Sequence, residues 1–320
     1  MQTNTTDIAN VRAWYVKKML YKAKPHLVHM SFAQVNDIPQ HASSQIKFRR
    51  YSLLAAATTP LTEGLTPSGS KLAVTTLTTD LNQYGDFIEL TDKLTLTTED
   101  PILNEANDIL AQQAANTLDQ ITRDVLTAGS QIQYASTAVS RVTVTAAMKL
   151  SAAEIRETVR TLKNANAIKI TSMVNPTNAI DTVPLNDCFI AFIHPNATYD
   201  LKSDPLFVPV ENYPSQSSVM PGEVGKIDEV RFIESTNAKV FTGAGAAGVD
   251  VYATMVLAAH AYGVSRISGA ALEVITHQAG EAGSADALNQ RSTHGWKSFF
   301  AAMRLNETFM VRIEHGATAA

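Results

Sequence analysis

From Pro101 to Ala128 the chain carries one unbroken amphipathic run, and no other segment narrows the possible folds as much. Asp100 is placed to cap the start, and Pro101 sits at the first helical position, where its missing N–H leaves no bond unmade. Glu105 lies near the positive end of the helix dipole. Leu103, Ala106, Leu110, Ala114, Leu118, Ile121 and Val125 step by three or four residues and draw a single apolar stripe. Gly129 is expected to stop the helix by turning left-handed. At about 1.5 Å per residue the rod is on the order of 40 Å long. A stripe of that length needs a long partner surface, such as a sheet beneath it.

The remainder of the chain supplies strands. Gln45 to Leu54 alternates, with Ile46, Phe48 and Arg50 on one face and Lys47, Arg49 and Tyr51 on the other. Ala55 to Ser70 breaks that pattern with Pro60, Gly64, Pro67 and Gly69, and Lys71 to Leu90 resumes as a β-prone run kinked at Gly85. These pieces predict one long hairpin with an irregular tip, and such a ribbon has to rest its apolar face on something else. Later strands are expected at Asn186 to His194, Val230 to Glu234, Lys239 to Thr242, Ala270 to Thr276 and Phe309 to Glu314, with a Pro- and Ser-rich loop at Pro205 to Pro221. Ser151 and Glu154 form a capping box for a second helix through Ile155, Val159 and Leu162, fraying by Asn164 to Asn166. The fold class is therefore α+β, without internal repeats.

At the N-terminus, Ile8, Val11, Tyr15, Met19 and Leu20 recur at helical spacing beside Arg12, Lys17, Lys18, Lys22 and Lys24, and Pro25 ends that helix. Its simplest use is docking on a protein core; a basic membrane-surface helix or an arm reaching a neighbouring subunit are the other readings. Pro25 to Ser44 is expected to be an extended connector.

Composition adds one hint and several exclusions. Charged residues make up 18% of the 320, against roughly 25% in ordinary soluble domains, a deficit expected either of a chain whose outer surface is partly covered by copies of itself or of a plain Ala- and Thr-rich enzyme. A net charge of -4 excludes the global basicity that drives nucleic-acid binding by counterion release. The single cysteine, Cys188, allows no intramolecular disulfide. No window is long and apolar enough for a membrane span, and the polar start, with Asp7, is unlike a signal peptide.

Four features bear on chemistry. Gly243, Gly245 and Gly248 satisfy the G-x-G-x-x-G pattern after a strand, but they come late and without the βαβ alternation a dinucleotide site requires, so a flexible Gly/Ala loop is the simpler reading. An α+β nucleotide-binding enzyme using this loop remains the alternative function, distinguishable as a small soluble oligomer. His26 and His29 alone have metal-ligand spacing, with no Cys or carboxylate at a recognisable interval. Cys188 lies inside an apolar strand and reads as a small hydrophobe, not a nucleophile. Lys47, Phe48, Arg49, Arg50 and Tyr51 are the one dense basic and aromatic cluster; an alternating strand divides the charges between two faces, which suits protein contacts better than nucleic acid. No catalytic residue, metal ligand or cofactor site is expected.

At this point whole segments resemble a family. KFRRY at Lys47 to Tyr51, TTPLTEG at Thr58 to Gly64, QYGDFIELTD at Gln83 to Asp92, TRDVLTAG at Thr122 to Gly129, PGEVGKIDEVRFIES at Pro221 to Ser235 and QRSTHGWKSFFAAMRLNE at Gln290 to Glu307 are similar, in order, to the major capsid proteins of N4-type tailed phages. The resemblance implies an HK97-like capsid fold: an N-terminal arm (1–44), an extended-loop hairpin (45–90), a peripheral domain (91–150) with the spine helix at 101–128, a mostly axial block (151–290) and a return of strand and helix to the body (291–320). It implies hexamers and pentamers of this chain closing an icosahedral head around double-stranded DNA, with scaffold, portal and decoration proteins as further partners, non-specific DNA contact and no membrane. The residues expected to make intersubunit contacts are Lys47, Arg49, Arg50, Tyr51, Glu63, Asp86 and Glu89.

Overall fold

The computed structural model describes residues 27–39, 44–51, 54–61, 63–64, 66, 68–97, 102–176, 180–213, 219–267, 272–279, 281 and 288–318. The expected N-terminal helix, Asp100 and Pro101 lie outside them.

In chain order the strands are β1 (Gln34–Ile38), β2 (Gln45–Tyr51), β3 (Val74–Asp80), β4 (Asn82–Thr91), β5 (Ile132–Tyr134), β6 (Ile170–Pro176), β7 (Ile180–Ile193), β8 (Val208–Pro209), β9 (Glu223–Ile227), β10 (Val230–Glu234), β11 (Val240–Phe241), β12 (Val251–Leu257), β13 (Tyr262–Ile267), β14 (Glu273–His277), β15 (Arg291–Arg304) and β16 (Met310–His315). The helices are α1 (Asp92–Thr97), α2 (Ile102–Thr127), α3 (Ala152–Asn164) and α4 (Pro195–Leu201).

The long β15 organises a five-stranded sheet. One edge of β15 pairs antiparallel with β4 from Asn82↔Phe300 to Thr91↔Arg291. Its other edge takes β14 beside Thr293 to Lys297 and β13 beside Phe300 to Arg304, and β1 adds to β13 in parallel. A nine-stranded sheet runs β5-β16-β12-β7-β10-β9-β8, with β11 on β12 and β6 on β7. The end of β7 is buried on both faces: Phe189, Ala191 and Ile193 pack toward α3, while Cys188, Ile190 and Phe192 pack toward α2 and the five-stranded sheet.

Helix α2 joins the two sheets. Leu110, Ala111 and Ala114 lie on Val274 and Trp296, and Leu118 and Leu126 reach the core that holds Phe192, Tyr262 and Phe300. The expected stripe holds from Ala106 through Leu118 and then moves by one residue, so that Thr122 and Leu126 are buried while Ile121 and Val125 are half-buried. Gly129 does not turn left-handed: the helix closes on a tightened turn, with the Gly129 N–H donating to the Leu126 carbonyl at 3.2 Å. Helix α3 begins on its capping box as expected. It does not fray; Asn166 turns left-handed (φ 54°), the Ala167 N–H returns to the Leu162 carbonyl and the Asn166 N–H to that of Lys163, a closed Schellman end.

Several expectations change in the tertiary structure. The hairpin consists of β2 and β3 alone, because β4 leaves it at Leu81 and finds a partner some two hundred residues later in β15. The connector from Pro25 to Ser44 contributes β1 to a sheet. Residues 291–315 return as two strands joined by a 3-10 turn at Glu307–Phe309, without an α-helix. Residues 151–290 contribute strands to both sheets, and β6, β12 and β13 are strands that the residue pattern did not announce.

Candidate assembly surfaces

The β2–β3 ribbon is held at its base only. Ile46 and Phe48 are buried with Ile38, against Leu77, Leu81, Met303 and Leu305. Arg50, on the same face, donates from Nη1 to Asn306 Oδ1 at 3.1 Å. On the opposite face Lys47, Arg49 and Tyr51 are exposed. Beyond the ribbon Leu54, Leu61 and Leu72 stand in solvent, with Leu61 77% exposed, and Glu63 is exposed beside Gly64, whose φ of 79° shapes the turn. None of the described residues of this segment belongs to a core cluster, so these apolar side chains form an exposed surface.

The other expected contact residues sit differently. Asp86 points at α2 and accepts from Gln113 Nε2 and from the Phe87 N–H, and Gln113 Oε1 accepts from Trp296 Nε1 at 3.2 Å. Glu89 lies 3.3 Å from Arg291 across β4 and β15. Asp86 and Glu89 thus hold the sheet and the helix of their own chain. Lys47, Arg49, Tyr51 and Glu63 are the four that face outward without such a tie.

Sequence reasoning missed Asp119. It is fully buried on α2 and takes the His29 backbone N–H on Oδ1 at 2.7 Å and the His29 ring Nδ1 on Oδ2 at 2.8 Å, while Asn237 Nδ2 donates to Oδ2 at 3.2 Å. The Tyr262 hydroxyl donates to the His29 carbonyl, and the His29 ring packs 4.6 Å from that of Phe192. This clasp fastens the incoming N-terminal segment to the core. A polar residue one step off the apolar stripe was its only trace in sequence. His29 is therefore committed to Asp119, and His26 lies outside the described residues; among those described no group of three His, Cys, Asp or Glu gathers as a metal site.

The Gly243–Gly248 loop spends its backbone donors internally. The Gly243 N–H donates to Asp250 Oδ1 at 2.7 Å, that of Gly245 to the Val249 carbonyl and that of Ala246 to the Val144 carbonyl, both at 2.8 Å. A phosphate cradle would need those N–H groups turned outward. Next to the loop, Glu314 is fully buried and accepts from Arg141 Nε and Nη2 at 2.8 and 2.7 Å, with Arg312 Nε also 2.8 Å from Oε1. These hydrogen bonds hold Arg141 above the ordinary guanidinium range, whereas burial pushes Arg312 below it. Cys188 is buried, and burial pushes its thiol up, away from nucleophilic use.

A profile of phage capsid proteins matches residues 22–271. This chain belongs to the phage capsid protein family. It is a major capsid protein, a structural component of the virion with no enzymatic role. The solved structures agree on the fold. The capsid of Ralstonia phage GP4 superposes with a TM-score of 0.72 at 12% identity, covering 92% of this chain and 93% of that one. The cyanophage Pam1 capsid gives 0.66 at 16% identity, covering 93% of each chain, and the head of Helicobacter pylori bacteriophage KHP40 gives 0.64 at 13%, covering 90% and 88%. The fold is thus the HK97-like capsid fold, α+β with a long helix across mixed sheets. No curated protein sequence matches the chain.

Proposed function

We propose that this capsid protein is of the N4 type and tiles the icosahedral head of a tailed phage around double-stranded DNA, as hexamers and pentamers. The observation that carries this reading is the ribbon, anchored at Ile46 and Phe48 and followed by a tip where Leu54, Leu61 and Leu72 stand in solvent. In this assignment residues 1–44 form the arm, 45–80 the extended loop and α2 the spine helix. The nine-stranded sheet with α3 forms most of the axial domain, and the β15 sheet belongs to the peripheral domain. Support for the N4 type comes from the ordered segments from KFRRY to the run over β15. Scaffold, portal and decoration proteins, and non-specific contact with packaged DNA, are the further partners of such a shell.

The energetics suit tiling. A standard interface buries about 800 Å² per partner, or on the order of 20 kcal/mol gross at roughly 25 cal/mol per Å², most of it offset by ordering and desolvation. Stability then accumulates over many modest edges, which also lets misplaced subunits leave. Negative-stain microscopy and sedimentation of the expressed chain test the reading. Closed particles or capsomers are expected, and removal of residues 55–70 should leave a folded subunit that closes no shell. Normal shells from that deletion would overturn the role given to the ribbon.

A further inference from the structure

The Gly243–Gly248 loop and the arginines beside it are absorbed neither by the core nor by the proposal above. Arg141 stacks 3.5 Å from the centroid of the Phe241 ring, Arg312 lies 5.7 Å from the same ring and Lys239 Nζ 6.0 Å. Carboxylates are short here. Glu314 serves both Arg141 and Arg312, and Asp124 serves both Arg123 and Lys239, at 2.9 Å each. Asp250 is engaged with the Gly243 N–H. Four cations thus pair with two acids, a third carboxylate being engaged with the backbone, and the side chains of Arg141 and Lys239 remain 33% and 29% exposed. Because Nε and Nη2 of Arg141 grip Glu314, its Nη1 edge is turned away from that pair.

On the chain to either side of Arg141 two valines stand in solvent, Val139 81% and Val142 69% exposed, next to the polar Ser140 and Thr143. A phosphate backbone gains nothing from two valines, whereas a protein segment with one carboxylate among apolar residues matches both halves of the patch. The ribbon tip has that composition: Glu63 is the only charged residue from Leu54 to Ser70, and Leu61 beside it stands in solvent. We propose that Arg141 and Lys239, both beside the Phe241 ring, receive the Glu63 carboxylate of a second copy of this chain, with Leu61 of that copy covering Val139 and Val142. The inference rests on the shell reading above and adds the place where the tip docks. A carboxylate there completes the charge balance, and desolvation of the two valines supplies the apolar part.

The test places cysteines at Glu63 and Val142 of the full-length chain, the native Cys188 being buried and out of competition. Particles of the Glu63→Cys, Val142→Cys double variant should give a ladder of disulfide-linked multimers under mild oxidation, and neither single variant should. In parallel, Glu63→Gln should lower particle yield by roughly fivefold, while Glu63→Asp keeps most of it. Particles without a ladder overturn the proposal. If the double variant forms none, the charge arm decides, and Glu63→Gln particles equal in yield and salt tolerance to the parent overturn it as well. A Lys239→Gln variant that assembles normally and only loses DNA retention would give the patch to nucleic acid instead. Failure of the shell reading itself looks different, since the unaltered chain would then form no particles.

Discussion

Replacing Asp119 with alanine isolates the clasp that holds the N-terminal segment. The carboxylate accepts three hydrogen bonds, two from His29 and one from Asn237, and both Asp119 and His29 are almost completely buried. Removing it strands the His29 N–H, the imidazole and an amide donor where water has no ready access. Breaking a buried, hydrogen-bonded pair from one side costs about 3–5 kcal/mol, against a total stability on the order of 5–15 kcal/mol for a typical domain. The loss should be concentrated in residues 27–38, because the Tyr262 hydroxyl and β1 hold that segment beside the same point. Each 1.4 kcal/mol is about tenfold in an opening equilibrium, so local opening should rise by roughly two to three orders of magnitude. Hydrogen exchange followed by mass spectrometry reads this directly: amides of 27–38 should lose protection in Asp119→Ala while those of β7 and β12 keep theirs. Asp119→Asn keeps the shape and one of the two acceptor oxygens and should show an intermediate loss. Unchanged protection of 27–38 in Asp119→Ala would refute the reasoning, since the segment would then be held by contacts other than the clasp.

Other outcomes follow from single sites. Leu110→Ala opens a cavity between α2 and the β15 sheet and should lower subunit stability by about 2–5 kcal/mol in denaturant titration, and an unchanged midpoint would argue against that packing. A Cβ on Gly85 would stand 2.5 Å from the Trp296 carbonyl oxygen, so Gly85→Val should destabilise by about 1–3 kcal/mol or displace β4, visible as lost exchange protection along β15. Buried His315 is bonded through Nδ1 to the Gly316 carbonyl at 2.8 Å and through Nε2 to the Thr254 hydroxyl at 2.9 Å, and burial lowers its pKa to about 4. Between its ordinary value near 6.5 and that lower one, the unfolded chain takes up a proton that the folded chain refuses. This contribution to stability is therefore complete above about pH 6.5 and falls by on the order of 3 kcal/mol as pH drops toward 4. His315→Asn should flatten the dependence in that window, and an unaltered slope would place its cause elsewhere.

The local elements of this capsid protein were legible in its residues, because each is decided by neighbours a few positions away. Leu110, Ala114 and Leu118 at helical spacing, the Ser151 and Glu154 cap and the alternation of Ile46 and Phe48 required no knowledge of the rest of the chain. The ordered segments also carried the family. Of the expected contact residues, Lys47, Arg49, Tyr51 and Glu63 are exposed, but nothing local distinguished them from Asp86 and Glu89, which bind their own helix and sheet.

What the fold alone decided are the pairings between distant residues. β4 reads like the second arm of a hairpin because its apolar pattern fits any sheet, and only the presence of β15 with a matching glycine at Gly295 opposite Phe87 gives it a better partner. Asp119 reads like an exposed helix residue until His29 arrives from ninety residues upstream. Sequence thus determined the two longer helices α2 and α3, the β2–β3 ribbon and the kinship of this chain, since propensity, capping and periodicity act over a turn or two. Strand partners, the buried ion pairs and the charge-rich patch around Phe241 are set by long-range closure, where burial and desolvation choose among several locally acceptable pairings.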